Sequence, residues 1–265
     1  MINESAALLQ RCAPSTDART IKKAGHITPS TNTTVEPLTT LLSLLDGGAV
    51  SQHFSRLSVQ RLALDGEAEA QFETKRMLAA AQLLAEAPLG AIAWNGTSGG
   101  WLGRDHDLAI VDAIEAATKI RATTTTLAMY EIYRRFGWTR IGIACPYTDD
   151  VTAAIVEEYE RQGFTIAATA NLGLESNLDM GNAQAADIWN QLGAVATTGP
   201  DCIAVICTNL SAVQMTPAFE AQFGIPIVDS VAATFVEVSR LCGRDVRIDG
   251  LGRLLSGRVE AISHA

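Results

Sequence analysis

The side chains of this 265-residue chain best suited to chemistry are a cysteine, Cys207, and several short hydroxyl-rich runs. Cys207 closes an apolar stretch and is followed by Thr208 and Asn209, while Gly96, Thr97 and Ser98 follow a second apolar stretch that ends at Trp94 and Asn95. A thiol can hand a proton to carbon, or attack carbon as thiolate. Hydroxyls and backbone N–H groups facing it can hold a carboxylate or a developing oxyanion. The remaining cysteines, Cys12, Cys145, Cys202 and Cys242, have no C-x-x-C spacing, and His26, His53, His106 and His264 are isolated. Structural zinc and disulfide frameworks need such clusters, so neither metal nor disulfide is expected and a reactive cysteine must act alone. Taken singly, each of these residues also has a plain structural reading. Cys207 suits a small buried hydrophobe, Gly96 a tight turn, Thr97 and Ser98 helix caps, and His26 a satisfied core histidine.

The elements that must position these residues read as short β-rich runs alternating with helical periods, the pattern of βαβ units and a mainly parallel sheet. Strands are expected at 24–28, 56–60, 91–94, 140–144, 165–168, 202–206 and 226–228. Helices are expected at 69–86 and 149–162, with Gly137 and Gly163 as stops, and 122–126 reads as a crossover or a helix start. The two halves echo each other. The strand before Pro29-Ser30-Thr31-Asn32 matches the strand before Cys145-Pro146-Tyr147-Thr148, and the Gly96 loop matches the Cys207 loop. The spacing is 67 residues from Pro29 to Gly96 and 61 from Pro146 to Cys207. Such a repeat implies an α/β fold of two pseudo-symmetric flavodoxin-like lobes, with the polar loops at the carboxyl ends of strands, where open α/β sheets bind ligands. The lobes are drawn as 21–122 with 232–265, and 123–231, with 1–20 a loose N-terminal extension.

Hydrophobic residues make up 48% of the chain, enough for a sizeable core, and the net charge is −9 with 20 Lys and Arg scattered along it. That balance argues against nucleic acid as partner, and no apolar run nears the roughly 20 residues that cross a bilayer. The expectation is a cytoplasmic protein acting on a small molecule, with neither membrane nor nucleic acid as partner and a homo-oligomer left open.

The run Gly25-His26-Ile27-Thr28-Pro29-Ser30-Thr31-Asn32, with Ile206-Cys207-Thr208-Asn209-Leu210, resembles maleate cis-trans isomerases. Asn95-Gly96-Thr97-Ser98 is similar to the loop of arylmalonate decarboxylases, in which glycine replaces the first of two catalytic cysteines, and Ala144-Cys145-Pro146-Tyr147-Thr148 resembles both. Together these motifs place the chain near the aspartate/glutamate racemase superfamily. The resemblance implies Cys207, Thr97, Ser98 and Tyr147 as catalytic residues. It implies Pro29, Asn32, Gly96, Asn177, Thr208 and Asn209 as contacts for a small carboxylic or dicarboxylic acid. Asn32 and Asn177 match isomerase positions that hold carboxylates, so the pocket is expected to be more polar than that of an aryl-malonate enzyme.

Three functions follow in order. The first is a cofactor-independent decarboxylase of a small malonate-type acid, passing through an enediolate that Cys207 protonates. The second is a maleate-type isomerase with Cys207 as nucleophile. The third is a non-catalytic carboxylate-binding protein.

Overall fold

The computed structural model describes residues 21–257. Strands β1 (Lys22–Pro29), β2 (Val50–Leu57), β3 (Ala91–Trp94) and β4 (Arg121–Thr124) form one sheet; β5 (Arg140–Ala144), β6 (Thr165–Ala170), β7 (Cys202–Val205) and β8 (Ile227–Asp229) form another. Helices α1 (Val35–Leu45), α2 (Gly66–Glu69), α3 (Thr74–Leu84), α4 (Gly99–Leu102), α5 (Arg104–Thr118) and α6 (Thr125–Phe136) belong to the first half of the chain. The rest are α7 (Asp149–Arg161), α8 (Asn177–Gly181), α9 (Ala185–Ala196), α10 (Thr216–Phe223), α11 (Ser230–Leu241) and α12 (Gly252–Ser256).

The sheets run β2-β1-β3-β4 and β6-β5-β7-β8, and every pairing is parallel. The two orders are identical when each half is numbered from its own first strand. The repeat read from the loops is therefore a repeat of topology. All four residues of β3 and of β7 are buried, as expected for strands covered on both faces. A buried Val, Leu or Ile side chain on such a strand contributes about 1.5–3 kcal/mol. Helix α9 approaches β5 at glycine distance: a Cβ on Gly142 would lie 2.3 Å from Val195 Cγ1. Alanine there would force the helix off the sheet, at a cost of about 1–3 kcal/mol.

Three expectations need correction. The strand read at 56–60 is β2, Val50–Leu57, and only its last residues fall in the expected window. Of the two readings of 122–126, the helix start holds for 125–126, the first turn of α6, while 122–124 belong to β4 rather than to a crossover; the Thr124 hydroxyl accepts from the Leu127 N–H. The helix read at 69–86 is shortened to α3, because the backbone opens at Glu73 (φ −57°, ψ 133°). Gly137 does end α6 in the left-handed region at φ 69°, and Gly163 follows α7 at φ 89°. Helix α11 packs against β3, β4, α1 and α6, bringing the chain back to the first sheet. Residues 1–20, with Cys12, and 258–265, with His264, lie outside the described residues. Among the described residues, no helix is long and apolar enough to cross a membrane, and no group of three His, Cys, Asp or Glu side chains could hold a metal.

Candidate active site

The loops that follow β1, β3, β5 and β7 converge between the two sheets around a cavity of about 20 Å³, room for about one water and far below the usual volume of a small-molecule pocket. Pro29, Gly96, Thr97, Ser98, Tyr147, Asn177, Cys207 and Thr208 line it. Eight of the ten residues singled out in the sequence thus share one wall, drawn from both halves of the chain. The other two stand just behind. Asn32 Oδ1 accepts from the Thr34 and Val35 N–H groups, both at 2.9 Å, which caps α1, while its Nδ2 donates to Thr208 Oγ1 at 3.1 Å. Asn209 accepts from the Thr33 N–H at 3.0 Å and donates to the Asn177 carbonyl at 2.6 Å. Both amides fix loops across the cleft rather than facing the cavity.

Cys207 is 2% exposed at the end of β7. Burial pushes its thiol above the ordinary value, opposed by hydrogen bonds from the Asn209 N–H, the Tyr147 hydroxyl and the Leu210 N–H. The Asn209 N–H lies 3.4 Å from the sulfur. Across the cavity the Tyr147 hydroxyl and Thr97 Oγ1 share a 2.7 Å hydrogen bond. Tyr147 is therefore the link between the rear thiol and the front hydroxyl. Burial also holds Tyr147 neutral, well above its usual range. A protonated thiol beside two neutral hydroxyls is an arrangement of proton donors, suited to binding an anion and delivering a proton.

Behind this wall the loops are tied by further polar contacts. Thr208 Oγ1 donates to the Asn95 carbonyl at 3.0 Å, and Asn95 Nδ2 donates to His26 Nδ1 at 3.0 Å. His26 Nε2 then donates to Gln52 Oε1 at 2.7 Å. Complete burial holds His26 at about 4, against the raising effect of those two hydrogen bonds, so it is a neutral core histidine, as expected. Asp229 accepts from the Ala212 N–H at 2.9 Å and from the Val231 and Ala232 N–H groups, anchoring the Cys207 loop to the start of α11. Cys145 sits against Thr152 Oγ1, 3.3 Å away and off the cavity, and its thiol is pushed up to about 11 by burial.

The rest of the lining departs from the polar pocket that the sequence suggested. Val59, Leu62, Phe72, Trp94 and Trp101 form a broad apolar face. Its aromatics run as an arc, with ring centroids 6.4 Å apart from Trp94 to Phe72, 5.9 Å from Phe72 to Trp101 and 5.3 Å from Trp101 to Tyr147. Val59, Leu62 and Phe72 were not singled out in the sequence. They come from the stretch after β2: Val59 falls in the strand read at 56–60, Phe72 on the helical period read at 69–86, and Leu62 between the two.

With this geometry in place, the comparison with known proteins is informative. The model of the arylmalonate decarboxylase family matches residues 46–255, most of the chain. The chain belongs to the arylmalonate decarboxylase family. Within and around that family it is similar to the maleate isomerase of Nocardia farcinica, with 24% identity over 245 residues, 89% of this chain and 96% of that protein. It is also similar to the arylmalonate decarboxylase of Bordetella bronchiseptica, with 25% identity over 155 residues, 57% of this chain and 65% of that protein. Among solved structures, the Nocardia farcinica isomerase carrying a covalently bound succinylcysteine intermediate superposes with a TM-score of 0.82 at 21% identity, covering 90% of this chain and 99% of that one. A crystal structure of arylmalonate decarboxylase gives 0.73 at 22%, covering 89% and 100%. These likenesses establish the fold, the Asp/Glu racemase-like pair of parallel sheets. The relatives are enzymes, decarboxylases and cis-trans isomerases that act on small carboxylic acids.

Proposed function

We propose that the chain is a cofactor-independent decarboxylase of a small malonate-type acid, with Cys207 as the proton donor. The observation that supports this reading most is the pairing of one buried thiol with a glycine, Gly96, on the facing loop. A single proton-active thiol suits one protonation event at carbon and not a two-base exchange.

In the reaction, the carboxylate that is retained takes hydrogen bonds from Thr97, Ser98, Tyr147 and the N–H groups that follow Cys207. The second carboxylate faces Val59, Leu62 and Phe72, which carry no donors, and Trp94, whose N–H points to Ser98 Oγ. Its C–C bond breaks, carbon dioxide leaves uncharged, and the bonding pair passes into an enediolate on the retained carboxylate. Each preorganised donor aimed at that oxyanion contributes about 3–4 kcal/mol. The Cys207 S–H then protonates the α-carbon, and the thiolate left behind regains a proton from solvent. Raising the thiol's affinity for its proton by burial keeps the donor loaded at neutral pH.

The test is incubation with a panel of malonates in deuterated water. Carbon dioxide release with one deuterium at the α-carbon is expected, and Cys207→Ser should lower the rate by at least about a hundredfold. Unchanged turnover in that variant would dismiss Cys207 as the donor. The second reading, a maleate-type isomerase with Cys207 adding to the double bond, draws on the similarity to maleate isomerases over 89% of the chain. Fumarate formed from maleate without carbon dioxide release would favour it.

A further inference from the structure

Gly96 does not have a positive φ, so backbone conformation does not explain why glycine stands there. The reason is contact. A Cβ on residue 96 would lie 2.3 Å from both Cε2 and Cζ2 of Trp94 and 2.6 Å from its Nε1, distances that no real Cβ contact shows. The indole is fully buried, lines the cavity, and is held by Phe72 on one side and by a 3.4 Å contact from its N–H to Ser98 Oγ on the other. Strand β3 therefore ends by laying a large ring over the Cα of the loop that faces Cys207. We propose that Trp94 is the residue that sets the upper size of the acid's α-substituent, its indole filling the space beside Gly96 that a larger substituent would need.

The rigidity of the ring supports this role. Trp94 Cβ leaves the last residue of a wholly buried strand, and the strand pairs with β1 and β4 on both sides, so the backbone cannot retreat. Rotation of the indole is blocked by Phe72 and Ser98. A cavity of about 20 Å³ leaves no room to spare beside the indole, so an aryl ring competes with it for the same volume, whereas a substituent the size of methyl asks for far less. Apolar pockets discriminate through fit, with even one methylene changing selectivity by about tenfold or more.

The inference rests on the decarboxylase reading for its kinetic arm alone. Methylmalonate and phenylmalonate are supplied to the wild type, Trp94→Phe and Trp94→Ala, and kcat/KM is measured for each acid by carbon dioxide release. The ratio of the two values is independent of the fraction of folded protein. The wild type should prefer methylmalonate by at least about tenfold; Trp94→Ala should shift the ratio toward phenylmalonate by at least about tenfold, with Trp94→Phe between them. An unshifted ratio overturns the inference. If no variant releases carbon dioxide, the decarboxylase reading fails, and the size inference is judged by the ratio of Kd values for the same two acids by calorimetry. An unshifted Kd ratio, or no binding of either acid to wild type and Trp94→Ala, also overturns it. The underlying contact is tested without any ligand by thermal unfolding. Gly96→Ala should lower Tm with Trp94 present and leave it unchanged in Trp94→Ala, and equal losses in the two backgrounds would refute the contact.

Discussion

The protonation state of Cys207 separates the two chemistries open to this site, and pH is the perturbation that reads it. A thiol of ordinary pKa, about 8.5, is about 0.3% thiolate at pH 6 and about 24% at pH 8. Burial raises the pKa of Cys207, so its neutral form persists further into the alkaline range. If the thiol is a proton donor, the reactive form is the neutral one. Between pH 6 and pH 8 its population falls by less than about 1.3-fold, so kcat for carbon dioxide release stays flat and declines only as the pH rises through the raised pKa. If the sulfur is a nucleophile, the reactive form is the anion, and the same interval raises its population by about 75- to 100-fold. The assay is carbon dioxide release at saturating malonate across pH 6 to 10, with maleate consumption followed in parallel. Tyr147 provides an internal check, because its hydroxyl hydrogen bond lowers the thiol pKa. In Tyr147→Phe the alkaline limb should therefore move to higher pH. A steep rise in carbon dioxide release from pH 6 to pH 8 would refute the donor role, and an alkaline limb that moves down in Tyr147→Phe would refute the assigned hydrogen bond.

Tyr147→Phe should also lower kcat by about a hundredfold at neutral pH, since it removes one preorganised donor. Retention of full kcat would exclude the hydroxyl from the reaction. His26 is held at about 4 in the fold, whereas an unfolded histidine takes up its proton near 6.5. The unfolded chain then binds more protons between those values, so stability is lost as pH falls from about 6.5 to 4, by about 3 kcal/mol. Asp229, raised to about 6 by burial, acts in the opposite direction over much of the same window. The test is therefore the difference in urea unfolding between the wild type and His26→Gln, which should shrink with acidification; a constant difference would contradict it. Asp229→Ala removes a helix cap and leaves the buried Ala212 N–H without its acceptor, at a cost of about 2–4 kcal/mol by the same method. Arg61 and Ser176 face each other in an isolated antiparallel bridge, a geometry within disulfide reach. Arg61→Cys with Ser176→Cys, once oxidised, should lose at least about tenfold in kcat/KM and recover it with a thiol reductant; equal activity in both redox states would show that this clasp need not part.

Central strands were legible because burial on both faces leaves them almost wholly apolar. Ala91–Trp94 and Arg140–Ala144 match the expected bounds residue for residue. The edges were not. Strand β2 has one covered side and carries Gln52, His53 and Arg56, and β4 is Arg-Ala-Thr-Thr, whose threonines read equally as a helix start. Both owe their strand state to the neighbour that pairs with them rather than to their own pattern. The polar half of the site was legible for a related reason: a repeated topology puts equivalent loops at equivalent strand ends, so Gly96-Thr97-Ser98 and Cys207-Thr208 could be set opposite each other. The apolar half could not be read this way. Leu62 lies in an irregular connection with no period, Phe72 reaches the cavity from a short 3-10 turn at 70–72 rather than from the long helix read at 69–86, and the contact between Trp94 and Gly96 depends on a side-chain rotamer, which spacing does not encode.

The contacts across the cleft explain how so small a cavity can be both enclosed and assembled from two halves of the chain. Asn32 to Thr208, Thr33 to Asn209, Thr34 Oγ1 to the Asn209 carbonyl at 3.1 Å, and Thr208 to the Asn95 carbonyl all join the first-half loops to the Cys207 loop. Above them, Gln60, Arg61 and Leu62 meet Glu175, Ser176 and Asn177 through backbone hydrogen bonds of 2.9 and 3.0 Å. Both segments contribute to the lining, through Leu62 and Asn177. Thr208, Leu62 and Asn177 thus both join the halves and line the cavity. Parting the clasp to admit an acid would break the apolar face and the donor wall together, and closing it would restore both while expelling water. Buried donors act strongly on a developing oxyanion only where water is excluded. The cross-cleft amides of Asn32 and Asn209, which do not reach the cavity, tie the loop after β1 to the Cys207 loop and so fix the position of the thiol relative to the first half.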